Sequence, residues 1–423
     1  MTEADDSARE RAIRAELGAW LDAEWSVDRP LREWRETLVA AGWAAPAWPK
    51  AWHGRDFSHA ETMVVSRLFR ERGVVGAAST GPRSLAAETL LAHGSDSLKQ
   101  RYLRPLLTGE HSWCQLFSEP GSGSDLAGLT TRAERDGSRY VINGQKVWNT
   151  SAHHADFGIL VARTDWDLPK HQGISYFVID MRQPGVEVRP LRQMNGHASF
   201  NEVFMTDAIV HEEDRVGAEG EGWRIAQTTL SFERSGFGRD RAADALATRT
   251  GRIYAEYAEE VRIAMEPYRW YPQRAGRPDL LLSLARANGR INDPVVRQEI
   301  ARALTLAEGA RLATSQAEAR RRSGSSDVIP GGSIGKLAAS VIARQCSVAH
   351  TLIAGSHSLL AGDDANAQGL VAEILLSVPA ISIAGGTDEI QRNIISERVL
   401  GLPKEPRFDT GSFRDIPRNP GRA

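Results

Sequence analysis

Cysteine is scarce here: Cys114 and Cys346 are the only two in 423 residues. Two such thiols make neither a disulfide framework nor a metal-ligand spacing, which points to a reducing compartment. Long apolar runs are missing as well, and none reaches the ~18 residues that a bilayer span requires. No charge of one sign dominates, since the formal net charge is −2. Without a global field, nucleic acid and anionic membranes are not the expected partners. The stretch Met1 to Glu10 is acidic and has no apolar h-region, which argues against a secretory signal. These absences predict a soluble cytoplasmic protein with no membrane span. The basic residues are almost all arginine, which reads as codon bias.

What the chain does have is ordinary core-forming material: 41% hydrophobic and 25% charged residues, enough for two or three domains or one compound fold. Periodicity divides it. Over residues 1–110 apolar residues recur at three and four, as at Leu17, Trp20, Leu21 and Trp25, which predicts helices. Over 111–215 the period becomes two, with strands expected at Phe157–Arg163, Ile174–Met181, Val186–Leu191 and Glu202–Phe204. Asn143-Gly144, between Arg139–Ile142 and Gln145–Trp148, reads as a hairpin turn, because both positions accept positive φ. No helix separates these strands, so the middle is expected to be an antiparallel β domain. Over 216–402 helices return, at 221–258, 294–322, 333–360, 368–379 and 387–399. Pro267 to Asn292 reads as a long loop or insert, and 403–423 as a loosely ordered tail.

Four places can carry chemistry. Glu233 lies on an apolar stripe with Trp223, Ala226, Leu230 and Phe237, which at about 100° per residue share one side of a helix. A carboxylate there is either a structural ion pair, with Arg234 beside it, or a general base raised in pKa by its surroundings. Ser118 to Asp125 (Ser-Glu-Pro-Gly-Ser-Gly-Ser-Asp) can wrap an anionic or hydrogen-bonding ligand closely, or be a plain surface loop. Trp148 and Thr150 share one sheet face and suit an aromatic cofactor, or a half-buried strand. Ala384 to Gln391 opens a helix capped by Thr387, suited to a phosphate or a carbonyl oxygen, or to capping alone. His153-His154 lacks metal spacing and other ligands, and no metal is expected.

Taken in order, Leu116–Asp125, Tyr140–Thr150 and Gly385–Asn393 resemble the acyl-CoA dehydrogenase family, over a length reaching about Leu402. The resemblance implies an α+β fold: an N-terminal helical domain, a central β domain and a C-terminal four-helix bundle, with FAD as cofactor. It implies that Leu116, Ser118, Gly123 and Ser124 line the flavin and pyrophosphate, with Ser124 also near substrate. Trp148 would pack on the isoalloxazine with Thr150 at its N5 edge, and Thr387 and Glu389 would contact the adenine side. The implied reaction is α,β-desaturation of an acyl-CoA thioester, with electrons passing to an electron-transferring flavoprotein or another acceptor. Many members carry the base just before the Gly-Thr pair, where this chain has Gly385. Others, of isovaleryl- and long-chain type, carry it on the first helix of the bundle, and Glu233 matches that position. Arg234, Gly385 and Gly386 would then meet the substrate.

The chain departs from the family elsewhere. An Arg-x-x-Phe-Gly and a Gln-x-x-Gly-Gly segment usually reach FAD of the neighbouring subunit. Here the corresponding stretches are Leu284–Arg290 and Leu352–His357, and neither fits. Pairing with a related subunit in an α₂β₂ heterotetramer would account for this, as would a homotetramer with rewritten contacts. Rival readings are a flavin oxidase or monooxygenase relative, and a non-catalytic subunit of a heteromer. Gly236, Gly238 and Gly385 hint at room for a branched or ring-bearing acyl chain.

Overall fold

The computed structural model describes residues 3–78, 81–236, 246, 248–322, 331–362, 365–406 and 409–416. The chain forms two compact units, one of Met1–Leu191, Ser199–Pro267 and Asp409–Ala423, the other of Arg192–Ala198 and Tyr268–Phe408.

The first unit begins with five helices: α1 (Glu3–Glu24), α2 (Leu31–Ala40), α3 (His59–Arg72), α4 (Pro82–His93) and α5 (Asp96–Thr108). Local chemistry sets their ends. Ser58 and Glu61 form a reciprocal capping box at the start of α3, and Gly73, at φ +67°, ends it. Ser95 caps α5 and Gly109 closes it at φ +82°. Trp34, Leu38, Val64 and Leu68 are buried together with Ile253, Tyr254 and Tyr257. Those last three belong to α7 (Arg252–Met265), a separate helix from α6 (Gly222–Gly236). The single helical run expected over 221–258 is broken at 248–251, and residues 237–245 and 247, with Phe237 and Gly238, lie outside the described residues.

The sheet has eight strands: β1 (Trp113–Leu116), β2 (Arg132–Asp136), β3 (Arg139–Thr150), β4 (Phe157–Arg163), β5 (Ile174–Asp180), β6 (Val186–Leu191), β7 (Phe200–His211) and β8 (Arg215–Val216). Its order is β6-β7-β3-β2-β4-β5-β8, with β1 also on β4. Most ladders are antiparallel, but β1 and β2 both run parallel to β4, sharing one of its edges, so the expectation of an antiparallel sheet is corrected there. The expected hairpin at Asn143-Gly144 is also corrected. β3 runs straight through, with a register shift against β7 at Ile142/Gly144. A Cβ on Gly144 would come within 2.7 Å of the Thr131 Cα, so glycine is needed for close approach and not for a turn. The hairpin lies one turn earlier, where Gly137 at φ +62° and Ser138 join β2 to β3.

The tail differs most from expectation. Phe413 is 4% exposed, and the backbone N–H groups of Phe413 and Arg414 donate to Leu168 and Trp166 carbonyls at 3.0 and 2.9 Å. A buried aromatic and strand-like pairing hold residues 409–416 against the sheet domain.

The second unit contains α8 (Tyr271–Arg274), α9 (Leu281–Ala287), α10 (Pro294–Arg322), α11 (Gly331–Ala354), α12 (Leu370–Ser377) and α13 (Asp388–Arg398). The expected loop over 267–292 is thus largely short helices; Leu281 and Ala285 of α9 enter a core with Val296, Ile300, Cys346 and Ile353. A window within 332–359, around α11, has mean hydropathy 1.3 and is long and apolar enough to cross a membrane by length and composition alone. Its apolar side is explained by packing, since Ala343, Cys346, Ala349 and Ile353 are all buried within this unit.

Candidate active site

The Ser118–Asp125 loop leaves the end of β1 and is fixed at several points. Ser122 and Glu119 exchange backbone hydrogen bonds of 2.9 and 3.1 Å, closing a tight turn. The Ser122 hydroxyl donates to the Asp125 carbonyl at 2.6 Å. Glu119 turns inward, where its carboxylate accepts from the N–H groups of Thr130 and Thr131 at 2.7 and 2.9 Å and from Lys146 at 2.9 Å. Burial pushes this carboxyl up. The Lys146 charge and the hydrogen bonds from Lys146, Thr131 and Thr130 outweigh it and bring the group to about 2. With Glu119 facing in, Gly121, Gly123, Ser124 and Asp125 face out. A Cβ at Gly121 or Gly123 would meet nothing within 4 Å, so the outer side of the loop is open.

β3 brings Trp148 and Thr150 beside this loop, because the Val147 N–H donates to the Ser118 carbonyl at 2.9 Å. Between the pairs Lys146–Val203 and Asn149–Asn201 the strand carries two residues against one on β7. This bulge shifts the alternation. Lys146 and Val147 are both buried, and Trp148, which would otherwise have followed Lys146 inward, is 56% exposed. Trp148 has φ +63°, a left-handed conformation that costs a bulky side chain roughly 1–2 kcal/mol. The Phe200 ring meets the indole edge-on at 5.8 Å, and Thr150 is half-buried. Such strain persists where the surroundings enforce it, and it gathers at ligand sites.

Leu116 needs correction. Its side chain is fully buried in the core formed with Cys114, Ile142 and Phe177, so it offers a ligand no surface. Strand alternation puts Gln115 and Phe117 on the opposite face, where Phe117 packs into the other core of this unit.

Helix α6 carries the candidate base. Gly222, Ile225, Ala226 and Thr229 form its buried stripe, and Glu233, half-buried, continues it one turn beyond Thr229. The Thr229 hydroxyl meets Thr89 of α4 at 2.9 Å and the Tyr176 phenol of β5 at 3.1 Å. Burial raises the Tyr176 pKa and keeps the phenol neutral. Its ring meets Phe117, the residue before Ser118, edge-on at 5.9 Å. One chain of contacts thus leads from the loop to the turn below Glu233. The side chain of Arg234, and that of Gly236, lie outside the described residues.

In the second unit, Gly385 and Gly386 have φ +68° and +83° and lead into α13. The Thr387 hydroxyl accepts the Ile390 N–H at 3.3 Å as its cap. Gln391 turns back and donates to the Gly385 carbonyl at 3.0 Å. Glu389 points to solvent, 76% exposed, beside Arg392. The next residue inward was missed: Asp388 is 2% exposed and takes hydrogen bonds from Ser340 at 2.8 Å and Arg344 at 2.9 Å. Leu284–Arg290 ends α9, and Gly355 opens a 3₁₀ turn. The His153 and His154 rings lie tilted with centroids 3.9 Å apart, and His153 meets Asn201 at 3.2 Å.

The buried partners Glu119, Lys146, Thr229 and Tyr176 were not singled out from sequence. The one available signal was Lys146, a charge in a strand otherwise read as half-buried.

Comparison with known proteins bears on this arrangement. The acyl-CoA dehydrogenase N-terminal domain matches residues 4–110, the middle domain 114–208 and the C-terminal domain 281–400. The acyl-CoA dehydrogenase IpdE1 of Mycobacterium tuberculosis is 34% identical over 385 residues, covering 89% of this chain and 89% of that protein. FadE34 of the same organism is 33% identical over 405 residues, 94% of this chain but 50% of its own length. A solved variant of the Tcur3481-Tcur3483 steroid ACAD superposes with a TM-score of 0.62 at 26% identity, over 94% of this chain and 100% of that one. Three consecutive domain matches and a relative similar over nearly its whole length place this chain in the acyl-CoA dehydrogenase family, an oxidoreductase family whose members typically bind FAD.

Proposed function

We propose that this chain dehydrogenates an acyl-CoA thioester between its α and β carbons, with Glu233 taking the α-proton. The observation that carries this is the place of Glu233: a half-buried carboxylate on the core-facing stripe of α6, one turn past the Thr229–Tyr176 contact. A carboxylate partly withdrawn from water is a stronger base than one on the surface. The thioester carbonyl has to be polarised by hydrogen bonds for its α-proton to come within reach of such a base.

The first unit fits FAD. Trp148 presents an accessible indole from a strained bulge, Ser118 and Thr150 bring half-buried hydroxyls, and the glycine loop is open on its outer side. In this reading Ser118, Gly123 and Ser124 hold the flavin and pyrophosphate, Trp148 packs on the ring system and Thr150 donates at its edge. FAD, when bound, supplies the two-electron acceptor that takes the β-hydrogen as hydride. The family resemblance further assigns Thr387 and Glu389 to the adenine side, and Ser124, Arg234, Gly385 and Gly386 to the substrate. Electrons leave to an electron-transferring flavoprotein.

The substrate we favour is a bulky, ring-bearing acyl group of lipid catabolism. Support comes from the steroid named for the Tcur3481-Tcur3483 structure and from glycine at position 385, around which no Cβ contact would arise within 4 Å. That structure's paired name and the two ill-fitting segments in this chain also favour an α₂β₂ assembly. The chain expressed alone should then hold flavin poorly; a stable, flavin-loaded homotetramer overturns the hetero-assembly.

Glu233→Gln tests the chemistry. Flavin reduction by acyl-CoA under anaerobic stopped flow should fall by roughly 10²–10⁴, with substrate affinity retained. Full activity in that variant removes Glu233 from the mechanism.

A further inference from the structure

The segment 409–416 touches the candidate cofactor loop at its exit, and neither the family reading nor the proton transfer uses it. Residues 409–416 lie along the connection between β4 and β5. Ser412 bridges to Pro169, and the Phe413 and Arg414 N–H groups donate to Leu168 and Trp166. The Arg414 guanidinium pairs with Asp167 at 2.7 Å.

Two contacts carry this segment's influence inward. Phe413 packs under the Arg163 guanidinium, 3.4 Å from ring centroid to its central carbon. Arg163 is itself fully buried and donates to the carbonyls of Ala127, Leu129 and Lys170 at 2.7, 3.1 and 3.2 Å. Ala127 and Leu129 are the residues into which Ser118–Asp125 runs. The second contact is Lys170, whose amine holds Asp125, the final residue of the loop, at 2.9 Å and pairs on its other side with Asp409 of the tail. A buried guanidinium needs its hydrogen bonds satisfied and water kept out, and Phe413 covers it.

We propose that residues 409–416 act as a strap that sets the Ser118–Asp125 loop in its binding shape, with Phe413 acting through Arg163 and Asp409 acting through Lys170 as positioning residues. The inference rests on the reading of that loop as an FAD site. A loop already ordered binds with less loss of conformational freedom, so strap docking and cofactor binding favour each other, and by linkage each must strengthen the other equally.

The test uses the full chain, a form ending at residue 408, and the substitutions Phe413→Ala, Lys170→Met and Lys170→Arg. Flavin affinity is read by fluorescence titration with FAD, and loop order by amide hydrogen exchange over residues 118–131 without FAD. The full chain should bind FAD, though weakly in the absence of a partner subunit. The truncated form, Phe413→Ala and Lys170→Met should each bind at least about tenfold more weakly, a loss of ~1.4 kcal/mol, and exchange faster across the loop. Lys170→Arg should restore most of the affinity, because it keeps a cation between two carboxylates. FAD should slow carboxypeptidase trimming of the strap in the full chain. Unchanged affinity and unchanged exchange in folded Phe413→Ala and Lys170→Met overturn the strap. Failure of the full chain to bind any FAD overturns the FAD reading instead, and the exchange comparison still decides whether strap and loop are coupled.

Discussion

The two ends of the Ser118–Asp125 loop are held by ion pairs of opposite character. At its start, Glu119 and Lys146 are 6% and 0% exposed, and both make further hydrogen bonds, Lys146 to the Phe117 carbonyl at 2.9 Å. At its end, Asp125 is 65% exposed while its partner Lys170 is 10% exposed. The first pair is a commitment of the fold: with both charges out of water, neither can lose its partner without leaving an uncompensated charge. The second can be remade by solvent, and its worth lies in where it puts the chain. A loop anchored rigidly at one end and adjustably at the other can present the same backbone to a ligand yet respond to what binds. In a chain whose cations are nearly all arginine, both anchors are lysine. At position 146 a compact ammonium reaches a carboxylate and a carbonyl in a space closed on every side, which a planar guanidinium fork would not fill in the same way.

The largest effect should come from breaking the buried anchor. Lys146→Met leaves Glu119 charged and buried, and should cost about 3–5 kcal/mol by urea unfolding, with loss of flavin retention. Lys170→Met, at the other end, should stay within about 1 kcal/mol. Equal costs at both ends would erase the distinction between them.

Acid should separate the two ends next. Glu119 is held near 2, against an ordinary carboxylate value of 4.5. A depressed folded-state pKa contributes stability that is fully present above the unfolded value. That stability is lost as pH falls from about 4.5 towards 2. The wild-type melting temperature should therefore decline across this window. Lys146→Met removes a large part of what depresses the carboxyl, so the variant should lose less stability between pH 4.5 and 2 and its decline should be shallower. A melting profile identical in shape for the two proteins would show that Lys146 does not set the protonation of Glu119.

Why some of this was legible in sequence and some was not follows from the range of the forces involved. The helical period is local, so a helix at α6 could be read directly, although its fully buried stripe, Gly222, Ile225, Ala226 and Thr229, shares only Ala226 with the expected one. Strand β6 likewise follows its own alternation, whereas β4 reads as a continuous apolar run buried on both faces. Asn143-Gly144 reads as the hairpin although Gly137-Ser138 makes it, because a glycine accepts positive φ in either place and only the neighbour of Gly144, Thr131, distinguishes close approach from a turn. Leu116 was put on the ligand side for a similar reason: a motif read as a string carries no pleat. The Pro- and Arg-rich composition of 403–423 reads as a loose end, because it says nothing of the buried Arg163 guanidinium far upstream that Phe413 covers. The bulge at Trp148 is set by the register of β3 on β7, and no residue within the segment signals it.

That bulge supplies the smallest effect, and it bears on what the rigid end of the loop is for. Removing a large aromatic from a core costs about 3–5 kcal/mol. Trp148 is more than half exposed, its described ring contact is the edge-on Phe200, and its backbone is left-handed. Trp148→Asn gives up that contact, worth ~0.5–1.5 kcal/mol beyond the area it buries, and relieves strain of roughly 1–2 kcal/mol, since asparagine accepts left-handed φ far more readily. The relief offsets much of the loss, so the destabilisation of the flavin-free protein should stay well below that of a core aromatic, and its urea midpoint checks this. FAD affinity should fall in the same variant. A destabilisation of core size would mean that the indole is held for packing; near-neutral stability with weakened flavin binding would mean that the sheet keeps an unfavourable backbone to hold an aromatic face ready for a ligand.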